Sequence, residues 1–296
     1  MVLQDALRAA TQRLRDAGIE SARVDAELLL AHVLGVERGA LILAPDLPEP
    51  VQARFGDLIH RRALGSPLQH LTGRAPFRYL ELQVGPGVFI PRPETELLVE
   101  LVAADLADGQ TVVDLGAGSG ALALSIAHEF RSCRVLAVER SASARDWLGR
   151  NAADRSAAGD PAIEIVAGDL TDSLLLGELT AAVDVVVSNP PYVPAVAAPQ
   201  LRPEVAHDPA EAVFAGADGL AVMPGLLATA ARLLRPGGRL AIEHDDSHAV
   251  SLPSLLDGTG QFEEVVEHLD LNGRPRFVTA RRMALQDADP GTVSPG

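Results

Sequence analysis

Asn189-Pro190-Pro191-Tyr192 leaves the apolar run Val183 to Ser188, and together these four residue types suit one task, the holding of a flat NH2 group. An amide or exocyclic amino nitrogen carries two in-plane N–H donors, so a site that holds it needs two acceptors side by side. The Asn189 side-chain oxygen and the Pro190 carbonyl can supply them. Proline fixes its own φ and pushes the preceding residue out of the helical region, so Pro190 and Pro191 in series keep this stretch extended. Tyr192 adds a ring face on which a flat group can stack. Such a clamp suits a nitrogen that attacks an electrophile above its plane, because carbonyl dipoles stabilise the positive charge that develops there. The same letters also fit an ordinary strand exit, Asn-Pro being a common turn start.

A second constellation lies upstream. Asp114-Leu115-Gly116-Ala117-Gly118-Ser119-Gly120-Ala121 ends one apolar run and opens another. Its glycines let the backbone turn tightly and approach a ligand. Glu139 follows about 20 residues later, where a carboxylate accepts hydrogen bonds from ribose hydroxyls. Gly116, Gly118 and Ala121 satisfy the spacing of a dinucleotide fingerprint, so NAD is the competing ligand, although a lone match of this kind is weak. Charge separates the two. A carboxylate two residues before the first glycine opposes a pyrophosphate seated at a helix N-terminus, whereas Asp114 favours S-adenosylmethionine, whose sulfonium and ammonium are both cationic. Asp169, in Ala167-Gly168-Asp169-Leu170, is placed to bond an adenine amino group with Leu170 beside the ring, or equally to cap a helix.

The elements that must position these residues follow from periodicity. Residues 1 to 75 read as short amphipathic helices carrying Leu3, Ala6, Leu7, Ala10 and Leu14, then Val24, Leu28, Leu29 and Val33, then Val51, Phe55, Leu58 and Ile59. Residues 76–92 read as a hairpin linker whose two strands, Phe77 to Val84 and Val88 to Ile90, flank Gly85-Pro86-Gly87. From residue 93 strands and helices alternate. Strands are expected at Thr111 to Leu115, Arg134 to Glu139, Ala162 to Ala167, Val183 to Ser188 and Arg239 to Glu243, with helices at Ala121 to Phe130, Ala144 to Ala153 and Leu220 to Leu234. That alternation predicts an α/β fold with a doubly wound, mostly parallel sheet. Phe262 to His268 and Arg276 to Arg281 are separated only by a turn with Asn272-Gly273, so a terminal hairpin puts one antiparallel strand on that sheet. The division expected is a helical docking domain 1–75, the linker 76–92, a domain 93–285 and a disordered tail 286–296. In such sheets ligands sit at the C-terminal strand ends near the switch in strand order. If strands one and four are neighbours there, the glycine loop and the amide clamp face each other.

Composition narrows the partners. The formal net charge of −15 argues against direct nucleic-acid binding, which needs a basic surface. Every basic side chain apart from histidine is arginine, which removes Schiff-base and P-loop lysine chemistry. No run of about 18 uncharged apolar residues exists to span a membrane, and the first eight residues lack the pattern of a secretory leader, so a cytoplasmic monomer is expected. The lone Cys133 is read as filler. Trp147 is read as packing rather than as an adenine platform. The eight histidines scatter without metal-ligand spacing, and no metal is expected.

Over nearly its whole length the chain resembles the HemK/PrmC family, the protein-(glutamine-N5) methyltransferases. The similarity lies in Gly65 to Gly73, Phe89-Ile90-Pro91-Arg92-Pro93-Glu94-Thr95-Glu96, Asp114 to Gly120, Ser188 to Tyr192 and Asp218-Gly219-Leu220. The resemblance implies a class I S-adenosylmethionine-dependent methyltransferase domain with a seven-stranded sheet, behind a helical domain that grips the substrate. It implies class 1 peptide chain release factors as partners, with methyl transfer to the glutamine of their Gly-Gly-Gln loop and S-adenosylhomocysteine as the other product. Asn189 and Pro190 would hold the glutamine NH2, and Tyr192 would pack on it. Asp114, Gly116 to Gly120, Glu139, Asp169, Leu170 and Asn189 would meet the cofactor, with Pro91, Arg92 and Thr95 closing one wall. Asp208 stands where the family more usually has Glu-Pro, and Glu243-His244-Asp245-Asp246-Ser247 replaces a Glu-x-Gly run. The clamp motif is shared with ribosomal-protein glutamine methyltransferases and with adenine-N6 methyltransferases, and the acidic balance weighs against the latter. A silent binding module on the same fold is disfavoured because glycine loop, ribose carboxylate and clamp are all intact.

Overall fold

The computed structural model describes residues 3–43, 46–201 and 203–284; the expected tail 286–296 lies outside the described residues. The first helices are α1 (Leu3–Asp16), α2 (Ala22–Leu34), α3 (Glu49–Ala63) and α4 (Leu68–Thr72). They enclose their own apolar core around Leu14, Leu29, Leu30, Phe55 and Ile59. On α2 the buried stripe is not the expected one: Val24 is exposed and Asp25 is buried. The reason is electrostatic. Arg62 on α3 pairs with Asp25 at 2.7 Å inside the bundle, and a buried charge is tolerated only when paired and hydrogen-bonded.

The linker hairpin also differs from expectation. Its strands are β1 (Arg74–Phe77) and β2 (Leu80–Gln83), so the turn falls at Arg78-Tyr79 and Val88 to Ile90 form no strand. Arg78 adopts a left-handed φ of 50°, unfavourable for a residue with a side chain. Tertiary contacts hold it there: its N–H donates to Glu96 at 2.9 Å and its guanidinium to Glu129 at 2.5 and 2.6 Å. Gly85-Pro86-Gly87 instead forms a turn against Trp147, whose Nε1 donates to the Pro86 carbonyl at 3.2 Å. A Cβ on Gly85 would lie 2.5 Å from that ring, so Trp147 is a packing residue.

The remaining elements are α5 (Glu96–Ala103), β3 (Thr111–Leu115), α6 (Ala121–Glu129), β4 (Arg134–Glu139), α7 (Ala142–Ala157), β5 (Glu164–Ala167), β6 (Val183–Ser188), α8 (Ala210–Val213), α9 (Met223–Leu233), β7 (Leu234–Glu243), α10 (Ser251–Gly258), β8 (Phe262–Leu269) and β9 (Pro275–Arg282). Seven strands form one sheet in the order β5-β4-β3-β6-β7-β9-β8. β9 runs antiparallel between β7 and β8, and the other pairings are parallel. The central strands β3, β4 and β6 are buried on both faces. Val113, Leu115 and Val186 face a core with Met223 and Leu226, while Val112, Val185 and Val187 face one with Leu98 and Leu122, as the two-residue period of a strand requires. β7 starts five residues earlier than Arg239, pairing Leu234 with Val183 before a register jump to Arg239 opposite Val185. Pro236 to Gly238 fill that jump, which explains why a strand pattern is not visible across them.

Candidate active site

The chain crosses from one side of the sheet to the other between β3 and β6, which lie adjacent and parallel. The carboxyl ends of such a pair are where open α/β sheets bind ligands. Here the Ser188 hydroxyl donates to the Leu115 carbonyl, tying the two strand ends together. A cavity of about 770 Å³ opens directly above them.

One side of the cavity is the glycine loop. Asp114, Gly116, Ala117, Gly118 and Ser119 line it, but Gly120 does not. Gly120 caps α6 with φ 91°, and a Cβ there would lie 2.5 Å from the Leu148 side chain, so its small size serves helix packing. The N–H groups of Gly116 and Ala117 both donate to the Val138 carbonyl at 2.9 Å, which bends the loop over β4. Glu139 accepts from Gly118 N–H at 2.9 Å and Ser141 N–H at 2.7 Å. A carboxylate has about four acceptor sites, so Glu139 keeps capacity for ribose hydroxyls. Asp114 is 1% exposed, accepts from Ala123 N–H through Oδ2 at 3.1 Å, and leaves Oδ1 buried without a partner. Burial pushes its pKa up to about 7, with Glu139 adding to the rise and the Ala123 N–H opposing it. An orphaned carboxylate oxygen at a cavity wall is the complement of a ligand ammonium, so this half fits S-adenosylmethionine.

Asp169 and Leu170 also line the cavity. Asp169 Oδ1 accepts from the Thr171 N–H and hydroxyl at 2.8 and 2.7 Å, and Oδ2 from Arg140 at 3.2 Å. The Thr171 N–H is the main cause of its depressed pKa. The residue closes a tight side-chain turn and caps no helix.

The opposite side holds the predicted clamp, and Asn189, Pro190, Pro191 and Tyr192 all line the same cavity. Asn189 donates through Nδ2 to the Thr95 hydroxyl oxygen at 3.0 Å. Thr95 donates to Glu243 at 2.6 Å, and the Tyr192 hydroxyl donates to the other Glu243 oxygen at 2.7 Å. Burial and the Glu243 charge raise the Tyr192 pKa well above its ordinary value, so the phenol stays protonated and donating. Past the clamp, Val193 bridges to Phe214. The backbone there is held by bonds to Val213 at 3.0 Å and from Ala215 at 3.1 Å. Gly219 lets the 216–221 loop close on it, since a Cβ at Gly219 would lie 2.3 Å from the Tyr192 carbonyl.

Pro91, Arg92 and Thr95 line the cavity as a third wall, but Arg92 is turned to a protein partner. It pairs with Asp208, whose other oxygen accepts from Ile90 N–H at 3.1 Å. Burial raises the Asp208 pKa, and the adjacent Arg92 charge opposes that. Glu204, also at the cavity, pairs with Arg62 of the bundle at 2.6 Å. The 195–214 stretch is thereby built from short turns over Ala195–Gln200 and Pro203–His207 fastened at two points.

Sequence reasoning gave no role to Glu243, Glu204 or Asp208 in this arrangement. For Glu243 a signal existed, since a carboxylate ends the apolar strand next to the clamp strand. Among the described residues no group of three or more His, Cys, Asp or Glu is placed to hold a metal.

Residues 5–73 match the family model described as PrmC N-terminal domain, and residues 81–208 the one described as Methyltransferase small domain. The chain is similar to the release factor glutamine methyltransferase of Mycolicibacterium smegmatis, with 50% identity covering 95% of this chain and 98% of that relative. It is also similar to the enzyme of the same name from Streptomyces coelicolor, with 46% identity covering 92% and 95%. Among solved structures it resembles the hMettl16 catalytic domain, with TM-score 0.55, 14% identity and coverage of 78% and 83%. A T. thermophilus 16S rRNA methyltransferase in complex with AdoMet and guanosine matches with TM-score 0.50 and 22% identity over 71% of this chain and 49% of that one. These two likenesses bear on the fold alone.

Proposed function

We propose, from the premise that this chain belongs to the release factor glutamine methyltransferase family, that the two sides of its cleft hold cofactor and glutamine face to face. The enzyme transfers a methyl group from S-adenosylmethionine to the side-chain amide nitrogen of the glutamine in the Gly-Gly-Gln motif of peptide chain release factors. The observation that supports the assignment of residues is the Asn189 Nδ2 bond to Thr95, which turns the NH2 half of that carboxamide inward and leaves its oxygen for a ligand.

In this reading the Asn189 oxygen and the Pro190 carbonyl accept the two N–H groups of the substrate amide, and the Tyr192 ring, with Pro191 behind it, bounds its plane. Asp114 would offset the ammonium of the cofactor, Glu139 would accept from its ribose hydroxyls, the Gly116 to Ser119 backbone would lie along it, and Asp169 with Leu170 would border its base. Bound S-adenosylmethionine supplies an electrophilic methyl group on a sulfonium. The clamp residues would hold the glutamine nitrogen toward that methyl group, and the proton that the nitrogen loses on methylation would pass to water. Carbonyl dipoles around the nitrogen stabilise its developing charge. Holding two reactants in line contributes up to roughly 7–11 kcal/mol, and no metal takes part.

The bundle within residues 1–75, with linker 76–92, serves as the docking unit for the release factor, and residues 93–285 as the catalytic unit. The acidic balance, −15 overall, supports a protein rather than a nucleic-acid acceptor. No helix among the described residues is long and apolar enough to cross a membrane, and we assign the enzyme to the cytoplasm as a monomer. The test offers methyl-labelled S-adenosylmethionine with purified release factor, ribosomal protein and DNA in parallel. Label on the release factor alone is expected; label on DNA or ribosomal protein with an untouched release factor would overturn the reading.

A further inference from the structure

Four side chains from three distant segments form one hydrogen-bonded chain behind the clamp. Glu243 ends β7, is 1% exposed, and accepts from the Tyr192 and Thr95 hydroxyls at 2.7 and 2.6 Å. The Thr95 oxygen lies 3.0 Å from Asn189 Nδ2. Thr95, Asn189 and Tyr192 line the cavity, whereas Glu243 stands behind them.

The direction of each bond follows from counting hydrogens. A hydroxyl has one hydrogen, and an ionised carboxylate only accepts. Both hydroxyl hydrogens therefore point at Glu243, and the Thr95 oxygen can meet Asn189 only as an acceptor. That forces the NH2 half of the Asn189 carboxamide toward Thr95 and its oxygen toward the cavity.

We infer that Glu243 is a positioning residue for methyl transfer: through Thr95 it fixes which end of the Asn189 carboxamide faces the substrate, and through the Tyr192 hydroxyl it fixes the ring beside it. The inference rests on the reading of Asn189 as the acceptor for the glutamine NH2. It also explains selection of an amide. With its oxygen forward, Asn189 receives an N–H donor and offers nothing to a glutamate carboxylate, which has only acceptors. Burial raises the Glu243 pKa, with the Glu94 charge adding to the rise, and the bonds from Thr95 and Tyr192 and the Arg276 charge oppose it.

Replacing the carboxylate by an amide reverses the count. In Glu243→Gln an NH2 donor replaces one oxygen, so the hydroxyl facing it must accept; where that hydroxyl is Thr95, its hydrogen turns toward Asn189 and the carboxamide loses its fixed orientation. The full-length variants Glu243→Gln and Thr95→Val should bind S-adenosylmethionine within about twofold of the parent by calorimetry. Their kcat with purified release factor should fall about 10- to 100-fold, the scale of a lost bond to a charged group, with little change in KM. Thr95→Ser, which keeps the hydroxyl, should restore most of what Thr95→Val loses. The Glu243→Gln/Thr95→Val double variant should be no slower than the worse single one, because one relay is broken once. Parental kcat in either single variant, or multiplying losses in the double one, would overturn the inference. Should Glu243→Gln fail to fold, as judged by lost cofactor binding, the contrast between Thr95→Val and Thr95→Ser decides alone. A parent that transfers no methyl group to release factor would instead defeat the functional reading itself.

Discussion

The two sides of the cleft are built by opposite means. On the side proposed for the cofactor the polar groups are arranged by near neighbours: Glu139 is held by the N–H groups of Ser141 and Gly118, 2 and 21 residues away. On the side proposed for the acceptor the clamp residues are held from afar, Asn189 by Thr95 at 94 residues' separation and Thr95 by Glu243 at 148. The 195–214 stretch is fastened in the same way, with Arg92 and Asp208 separated by 116 residues. A local loop can keep its shape whatever the rest of the cleft does, whereas the clamp exists only when three segments have docked. Cofactor binding and methyl transfer should therefore respond to different substitutions.

The sharpest way to break that division is Asn189→Ala. Truncation removes one of the two oxygen acceptors, and by analogy with loss of a single transition-state hydrogen bond kcat should fall about 10²- to 10³-fold. Calorimetric affinity for S-adenosylmethionine should stay within about twofold, and a matching loss of affinity would mean that the two sides are one unit. Glu139→Ala should give the mirror result. Removing a charged acceptor costs about 1.5–3 kcal/mol, so cofactor affinity should fall roughly 10- to 100-fold, and saturating cofactor should recover most of kcat.

A gentler test uses pH. Asp114 has a pKa of about 7 in the free protein because it is buried, and a cationic ligand beside it favours the ionised form. While the amine of the cofactor stays protonated, its affinity should be level just above that pH and should weaken by up to about tenfold per unit as pH falls below it. Asp114→Asn should bind more weakly at pH 8 and lose the slope; an unchanged slope would remove Asp114 from the ammonium site. The smallest effect is expected from a chelator, which should leave both affinity and turnover unaltered, and inactivation by it would show that a metal takes part.

The same contrast separates what was legible in the sequence from what was not. β3, β4 and β6 fall where their apolar runs predict, and the glycine loop and Glu139 sit at the cavity as expected, because each depends on residues close in the chain. Asn189 to Tyr192 could be placed at the end of β6 beside the cavity, yet the orientation of the Asn189 carboxamide could not be read, since the group that sets it is on β7. The hairpin failed for the same physical reason. Its turn uses Arg78 at φ 50°, held by glutamates 18 and 51 residues away, while the more turn-like Gly85-Pro86-Gly87 is used to receive Trp147. Gly120 shows the converse. It completes a ligand-loop pattern, but what requires its small size is Leu148 on the next helix.

The paired acceptors of the cleft require that a planar side-chain nitrogen, and no other atom, receives the methyl group. Fragmentation mass spectrometry of release factor after reaction tests it most directly. Expected is a mass gain of one methylene on the Gly-Gly-Gln peptide, localised to the glutamine side-chain amide with the parent enzyme and sharply reduced with Asn189→Ala. A methyl group on any other residue, or an undiminished gain with the variant, would contradict it.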